Sequence, residues 1–185
     1  MKKILLYGID DATADVYQNI AESHDIEMDI VGDDALDATV GKLFEISDDL
    51  DTRAATFPDQ YMIFQEVEVP ELLRLLKEFK AAGKEYEGIK VMRTKTNETW
   101  ALRHLLTEAA KEQALSKKVI ILQELVKSCN SLDMTQMDPK DRQDFKEALM
   151  TAFMFLQQGQ YTEEQLDHVT SALTDGLKKA KKMYN

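Results

Sequence analysis

Few residues in this chain have the type and spacing that chemistry requires. Two adjacent carboxylates, Asp10 and Asp11, follow a short apolar run that closes at Gly8. Paired carboxylates bind hard cations such as Mg²⁺, but acids placed just before a helical pattern also cap helices. Capping is the reading adopted, and no metal ligand is assigned. Gly8 lacks the companions of a G-x-G-x-x-G turn, and no G-x-x-x-x-G-K-[ST] occurs. Neither a dinucleotide nor a P-loop phosphate site is therefore expected. His24, His104 and His168 fall in separate elements, without H-E-x-x-H spacing. Cys129, the single cysteine, has no neighbouring histidine and lies on an apolar seam, the setting of a buried, inert thiol. No serine sits in a nucleophile-elbow context. Catalytic residues and cofactors are accordingly set at none. One candidate remains, a small-ligand site at strand ends lined by Gly8, Asp10, Thr94 and Asn97.

Those residues must be positioned by the elements around them. Ile4 to Tyr7 reads as a buried strand, and Val16, Tyr17 and Ile20 share one face of the helix that follows. Asp25 to Ile30 alternates acid and apolar residues, a strand with one face buried and its acids in water, suited to a sheet edge. Asp33 and Asp34 are cap candidates for a helix carrying Leu36, Val40, Leu43 and Phe44. Ser47 to Gln60, with Asp48, Asp49, Asp51 and Pro58, is a polar connection. Tyr61 to Phe64 is a third strand. Pro70 opens a helix with Leu72, Leu75, Leu76 and Phe79 inward, and Gly83 ends it. Ile89 to Met92 is a fourth strand, followed by a helix from near Glu98. Strand–helix alternation at this spacing predicts a small, doubly wound parallel α/β sheet of order 2-1-3-4.

From Glu98 to Ser131 there is neither proline nor glycine. Leu115, Val119, Leu122, Val126 and Cys129 form a heptad-like seam on one long helix, or on two joined near Ser116. Asp138 and Pro139 open another helix, whose residues Phe145, Leu149, Ala152, Phe153 and Leu156 are expected to face inward. Met150, Met154 and Phe155 make it apolar nearly all round, so burial on more than one side is expected. Thr162 with Gln165 is a capping box for a last helix carrying Leu166, Val169, Leu173 and Leu177. Lys178, Lys179, Lys181 and Lys182 in its final turns suit the helix dipole.

Charge divides the chain in the same place. The whole sequence has a net charge of −11, and residues 1–100 carry all of it, with 22 acids against 11 bases. The remaining 85 residues hold 12 of each. The division predicts an α/β domain over 1–97 and a helical bundle extension over 98–185. So acidic a surface excludes binding through a nucleic-acid backbone. No apolar stretch approaches the roughly 20 residues that span a bilayer, and Met1-Lys2-Lys3 does not lead into a signal-peptide core. A cytoplasmic location is expected.

The most specific local pattern is Thr94-x-Thr96-Asn97-x-x-Trp100. Asn97 can cap the following helix while Trp100 packs back on the sheet. Thr94 and Lys95 also invite comparison with phosphoryl-receiver domains, but the third strand ends in Gln65-Glu66 where a phosphorylatable Asp would be needed. With the strand at Tyr61–Phe64, the helix at Leu72–Phe79, the strand at Ile89–Met92, and Leu105, Leu106, Glu108 and Glu112, the region resembles the bacterial family called domain of unknown function 3783. The resemblance implies a bacterial origin and an α/β fold and assigns no activity. The function expected is a non-catalytic binding or assembly protein, forming a homodimer or taking a protein partner through its helical region. Small-ligand binding at the carboxyl ends of the parallel strands is the alternative.

Overall fold

The computed structural model describes residues 1–45, 54–129, 132–135 and 137–182, the last two without their side chains. Expectations for Ser47, Asp48, Asp49 and Asp51, and for the side chains of Lys181 and Lys182, lie outside the described residues. The chain forms two compact units, Met1–Lys111 and Glu112–Asn185.

In the first unit β1 (Lys3–Tyr7) is buried at every position and so lies inside the sheet. The helix α1 (Asp11–Glu22) leads to β2 (Glu27–Val31), and a 3-10 turn at Asp33–Ala35 precedes the short α2 (Val40–Glu45). Then follow β3 (Tyr61–Gln65), α3 (Val69–Ala81) and β4 (Ile89–Met92). The sheet order is β2-β1-β3-β4, as the sequence predicts. Helices cover both faces. Tyr17 of α1 and Phe79 of α3 pack on Ile4, Leu6, Met62 and Phe64. Leu43 of α2 and Leu102, Leu105 and Leu106 pack on Leu5, Tyr7, Tyr61 and Ile63.

The sheet is mixed, not wholly parallel. β1 pairs parallel with β2 and β3 with β4, but β1 and β3 run antiparallel, with Tyr7 opposite Tyr61 and Lys3 opposite Gln65. The difference lies in the connection between β2 and β3. A strand of five residues spans about 16 Å, and a helix needs about 11 residues to carry the chain back that far. α1 has 12 residues and α3 has 13, but α2 has only 6. The expected helix from Leu36 begins instead at Val40, after the 3-10 turn. α2 lies by the far end of the sheet, its Val40 amide donating to the Trp100 carbonyl at 2.9 Å, and the chain is back at the end where β2 stops by Ala54, whose carbonyl accepts from the Asp33 amide at 2.8 Å.

The acids of β2 also differ from expectation. Glu27 and Asp29 are not simply in water: they hold the ammonium of Lys3 on β1, at 2.7 and 2.6 Å, and Lys3 is 1% exposed. Burial alone would lower the Lys3 pKa, but hydrogen bonds and charge from Asp29 and Glu27 outweigh it and hold the ammonium above its ordinary 10.5.

In place of a helix from Glu98, a 3-10 turn occupies Asn97–Thr99 and the long α4 (Leu102–Cys129) follows without a break at Ser116. Its early residues Leu102 to Ala109 belong to the sheet core and so to the first unit, Met1–Lys111. The second unit packs the later turns of α4 against α5 (Pro139–Gln158) and α6 (Glu163–Lys182). Its core holds Leu122, Val126, Cys129, Phe145, Leu166 and Leu173. Caps follow the sequence signals. Asp138 accepts from the Lys140 amide, and Thr162 and Gln165 exchange bonds of 3.1 and 3.3 Å. Only one side of α5 is covered. Phe155 is buried and Leu149 and Leu156 are partly buried, but Phe153, expected inward, is exposed together with Met150 and Met154.

The Lys3 bridge makes a sign-definite prediction. A folded pKa above the unfolded 10.5 gives stabilisation that is complete below about pH 10.5 and lost as pH rises through the folded value. Lys3→Met, which strands Glu27 and Asp29 beside an apolar chain, should lower stability by about 2 kcal/mol at neutral pH and flatten the alkaline loss. Urea unfolding across the alkaline range measures both, and an unchanged midpoint would show that the bridge stabilises nothing.

Candidate functional site

The antiparallel junction decides where the expected site residues lie. Tyr7 and Val31 end their strands at the edge of the sheet where Tyr61 and Ile89 begin theirs. Gly8 and Asp10 are therefore at one end, and Thr94 and Asn97, which follow Met92, are at the other. About 16 Å of packed sheet separates the pairs, too far for one small-molecule pocket to join all four.

Each pair has a structural occupation. Gly8 turns the chain with φ 75°, its backbone close against the Asp59 carbonyl. Asp10 caps α1, accepting from the Thr13 amide at 3.0 Å and the Thr13 hydroxyl at 2.7 Å. These bonds hold its carboxyl below the ordinary carboxylate range. At the other end the Asn97 side chain accepts from the Thr94 amide at 2.7 Å and donates to the Met92 carbonyl at 2.9 Å. The Thr94 hydroxyl accepts from the Asn97 amide at 3.2 Å. Asn97 is buried, and it closes the turn after β4 rather than capping α4. Trp100 lies in extended backbone between the 3-10 turn and α4 and packs on the sheet core. Its carbonyl accepts from the Val40 amide, and Ala101 bridges Thr39. The Thr94–Trp100 motif therefore fastens α2 to the start of α4.

A cluster that sequence reasoning missed sits beside Gly8. The Tyr7 hydroxyl donates to Asp33 Oδ1 at 2.5 Å and accepts from the amides of Thr56 at 3.0 Å and Phe57 at 3.3 Å. The Thr56 amide also reaches Asp33 Oδ1 at 3.0 Å. Burial first, and then the Asp33 carboxylate, push the Tyr7 phenol above its ordinary 10.0. The bond from Tyr7 holds the Asp33 carboxyl below 3.8. A phenol that resists ionisation and a carboxylate already supplied with donors make a poor acid–base pair. The cluster is a clasp on the returning chain. The rings of Tyr7, Phe57 and Tyr61 meet edge to face about it, with centroids 6.0 to 6.3 Å apart. Tyr61, its hydroxyl buried and without a hydrogen-bond partner among the described residues, has its phenol pushed up to about 12 by burial. No sequence signal marks the clasp, because Tyr7 and Thr56 are 49 residues apart.

Two surfaces remain. An open groove of about 690 Å³ runs between α1 and β2, lined by Asp15, Glu22, Asp25, Glu27 and Asp29 among others, and it contains none of the four expected residues. On α5, Met150, Phe153 and Met154 stand out at helical spacing, 67%, 53% and 59% exposed. Among the described residues no group of three or more His, Cys, Asp or Glu side chains is placed to hold a metal, and no helix is long and apolar enough to cross a membrane.

Two substitutions test these roles. Asn97→Ala strands the Thr94 amide and the Met92 carbonyl and should cost about 2 kcal/mol, read by urea unfolding; a loss below half that would deny the motif its fastening role. Asp33 titrates below 3.8 when folded, so its contribution is present above that value and lost as pH falls through the folded pKa. Tyr7→Phe removes the main cause of that shift, so the loss of stability between about pH 5 and pH 2 should shrink. An acid limb identical to the parent's would contradict the clasp.

No curated protein and no solved structure matches the chain. Residues 60–115, from the entry to β3 through the first turns of α4 and including the Thr94–Trp100 motif, match the family described as Domain of unknown function (DUF3783), the family that the motif resembles.

Proposed function

We propose that the protein is a non-catalytic binding or assembly protein whose helical unit engages a protein surface through α5, either on a second copy or on a partner helix. The observation that carries this reading is the stripe of Met150, Phe153 and Met154. Three large apolar side chains at i, i+3 and i+4 are more than half exposed on a helix whose opposite side is already buried. Helical stripes of this kind are the anchors of helix-in-groove recognition. Methionine side chains repack readily, which suits a surface that must accept an apolar partner. Phe153, flanked by the two methionines, is positioned as the central anchor.

The strand ends support the same reading. Asp10, Asp33, Thr94 and Asn97 each use their side-chain oxygens to hold backbone turns, which leaves no converging acid, base and nucleophile. A net charge of −11 disfavours nucleic acid. A bacterial, cytoplasmic setting accompanies this reading, resting on the family resemblance.

Phe153→Glu with Met154→Glu changes only exposed positions, so helix content should be unchanged. Light scattering coupled to size exclusion should give the parent a mass above the 21.1 kDa monomer and the double variant the monomer mass. A parent that stays monomeric at high concentration, and whose native mass spectrum shows no protein adduct on purification from its own cells, would overturn the reading.

A further inference from the structure

The two open edges of the sheet carry opposite character. Residues 4–41 contain ten acids and no lysine or arginine, and they supply β2 and α1. Residues 69–96 contain seven bases against four acids, and they supply α3 and β4. β2 and β4 are the two edge strands, and α1 and α3 lie on the same face. Along the β2 edge, Asp15, Glu22 and Asp25 line the open groove without a basic partner among the described residues.

The β4 edge is built the other way. Glu71 and Glu78 of α3 lie on its flank toward β1 and α1, bonded to Lys2 at 2.7 Å and His24 at 2.9 Å. At about 100° per residue, Val69, Leu73 and Lys77 come round on the opposite flank, with Lys80 paired there to Glu85 at 2.7 Å. Val69 and Leu73 are 52% and 53% exposed. Met92 and Lys90 of β4 are exposed beside them, on the sheet face that α3 covers. One edge is thus an acidic groove and the other an apolar strand with lysines about it.

We propose that these edges join copies of this chain head to tail, β4 of one copy pairing antiparallel with β2 of the next. Strand directions permit it. β1 and β2 run one way and β3 and β4 the other, so the next copy, in the same orientation, presents an antiparallel neighbour. Charge selects this arrangement over a two-fold one. Pairing β2 with β2 would set acids on acids, and β4 with β4 would set lysines on lysines. In the head-to-tail arrangement the Lys77 flank of α3 lies beside the Asp15 and Glu22 flank of α1 of the next copy, continuing the helical layer. Unpaired edges are templates for such strand addition, and a heterologous contact of this kind can repeat without closing. The Gln18 amide, which donates to the outward-facing Met28 carbonyl at 2.9 Å, must swing aside for the new ladder to form. The proposal uses the sheet unit alone and is separate from the α5 surface.

Paired charge reversals of the full chain test it. Asp15→Lys with Glu22→Lys makes the β2 edge basic, and Lys77→Glu with Lys95→Glu makes the β4 edge acidic. All four residues are exposed. In sedimentation velocity over a concentration series, the parent should self-associate. Each double variant alone should do so at least about tenfold more weakly. An equimolar mixture of the two should recover association, because each then offers the other an opposite charge. Recovery on mixing cannot arise from misfolding of either variant, and circular dichroism checks the folds separately. Three results would overturn the proposal: a monomeric parent, association unmoved by either reversal, or no recovery on mixing of folded variants. Association lost through the α5 substitutions but not through these would sink this proposal and leave the α5 reading standing.

Discussion

The clasp of Tyr7 and Asp33 on Thr56 holds the chain where it comes back after β2, and the direction of β3 follows from it. The two residues of β1 and of the turn beyond β2 offer a phenol and a carboxylate at the same end of the sheet, and the amides of Thr56 and Phe57 close on them. The connection reaches α2, which is fastened beside Trp100 at the other end of the sheet, and the clasp marks its return to the end where β2 stops. β3 then starts opposite Tyr7, and the antiparallel junction is fixed. Three consequences are carried by that one reversal. The turn residues that sequence places together are parted to opposite ends. The strand-end crevice that wholly parallel sheets offer to ligands is broken up. The two edges run in opposite directions and bear opposite charge.

Burial and charge are arranged around this frame with little redundancy. Lys3 of β1 sets a buried cation against the acidic strand, so that β2 can lie against β1 even though two of its five residues are acids. Asn97 does the corresponding task beyond β4, satisfying a donor and an acceptor at the turn that Trp100 and Ala101 then tie to α2. The family match covers the Thr94–Trp100 turn, with β3, α3 and β4 before it and the first turns of α4 after it. It stops short of β1, β2, the clasp and the α5 stripe, so those features are individual to what lies outside the matched segment.

Much of the architecture was legible in the residues. The four strands, the edge position of the acid–apolar strand, the order of the sheet and the caps at Asp10, Asp138 and Thr162 all follow from local pattern and turn chemistry. What was not legible depended on contacts distant in sequence. Strand direction hinged on where the chain returns after α2, and periodicity alone does not reveal that Thr56 closes on Tyr7 and Asp33. The acids of β2 read as solvated because nothing in alternation shows that Lys3, 24 residues earlier, pairs with Glu27. Phe153 was expected inward because apolar residues lie on every side of α5, and composition does not say which side a single chain can cover.

The antiparallel β1–β3 junction underlies both the parting of the candidate site and the unlike edges, and nuclear Overhauser contacts on labelled protein probe it most directly. Cross-strand contacts should link Tyr7 with Tyr61, Leu5 with Ile63 and Lys3 with Gln65. Contacts placing Tyr7 beside Gln65 and Lys3 beside Tyr61 would mean a parallel junction, and would contradict the account.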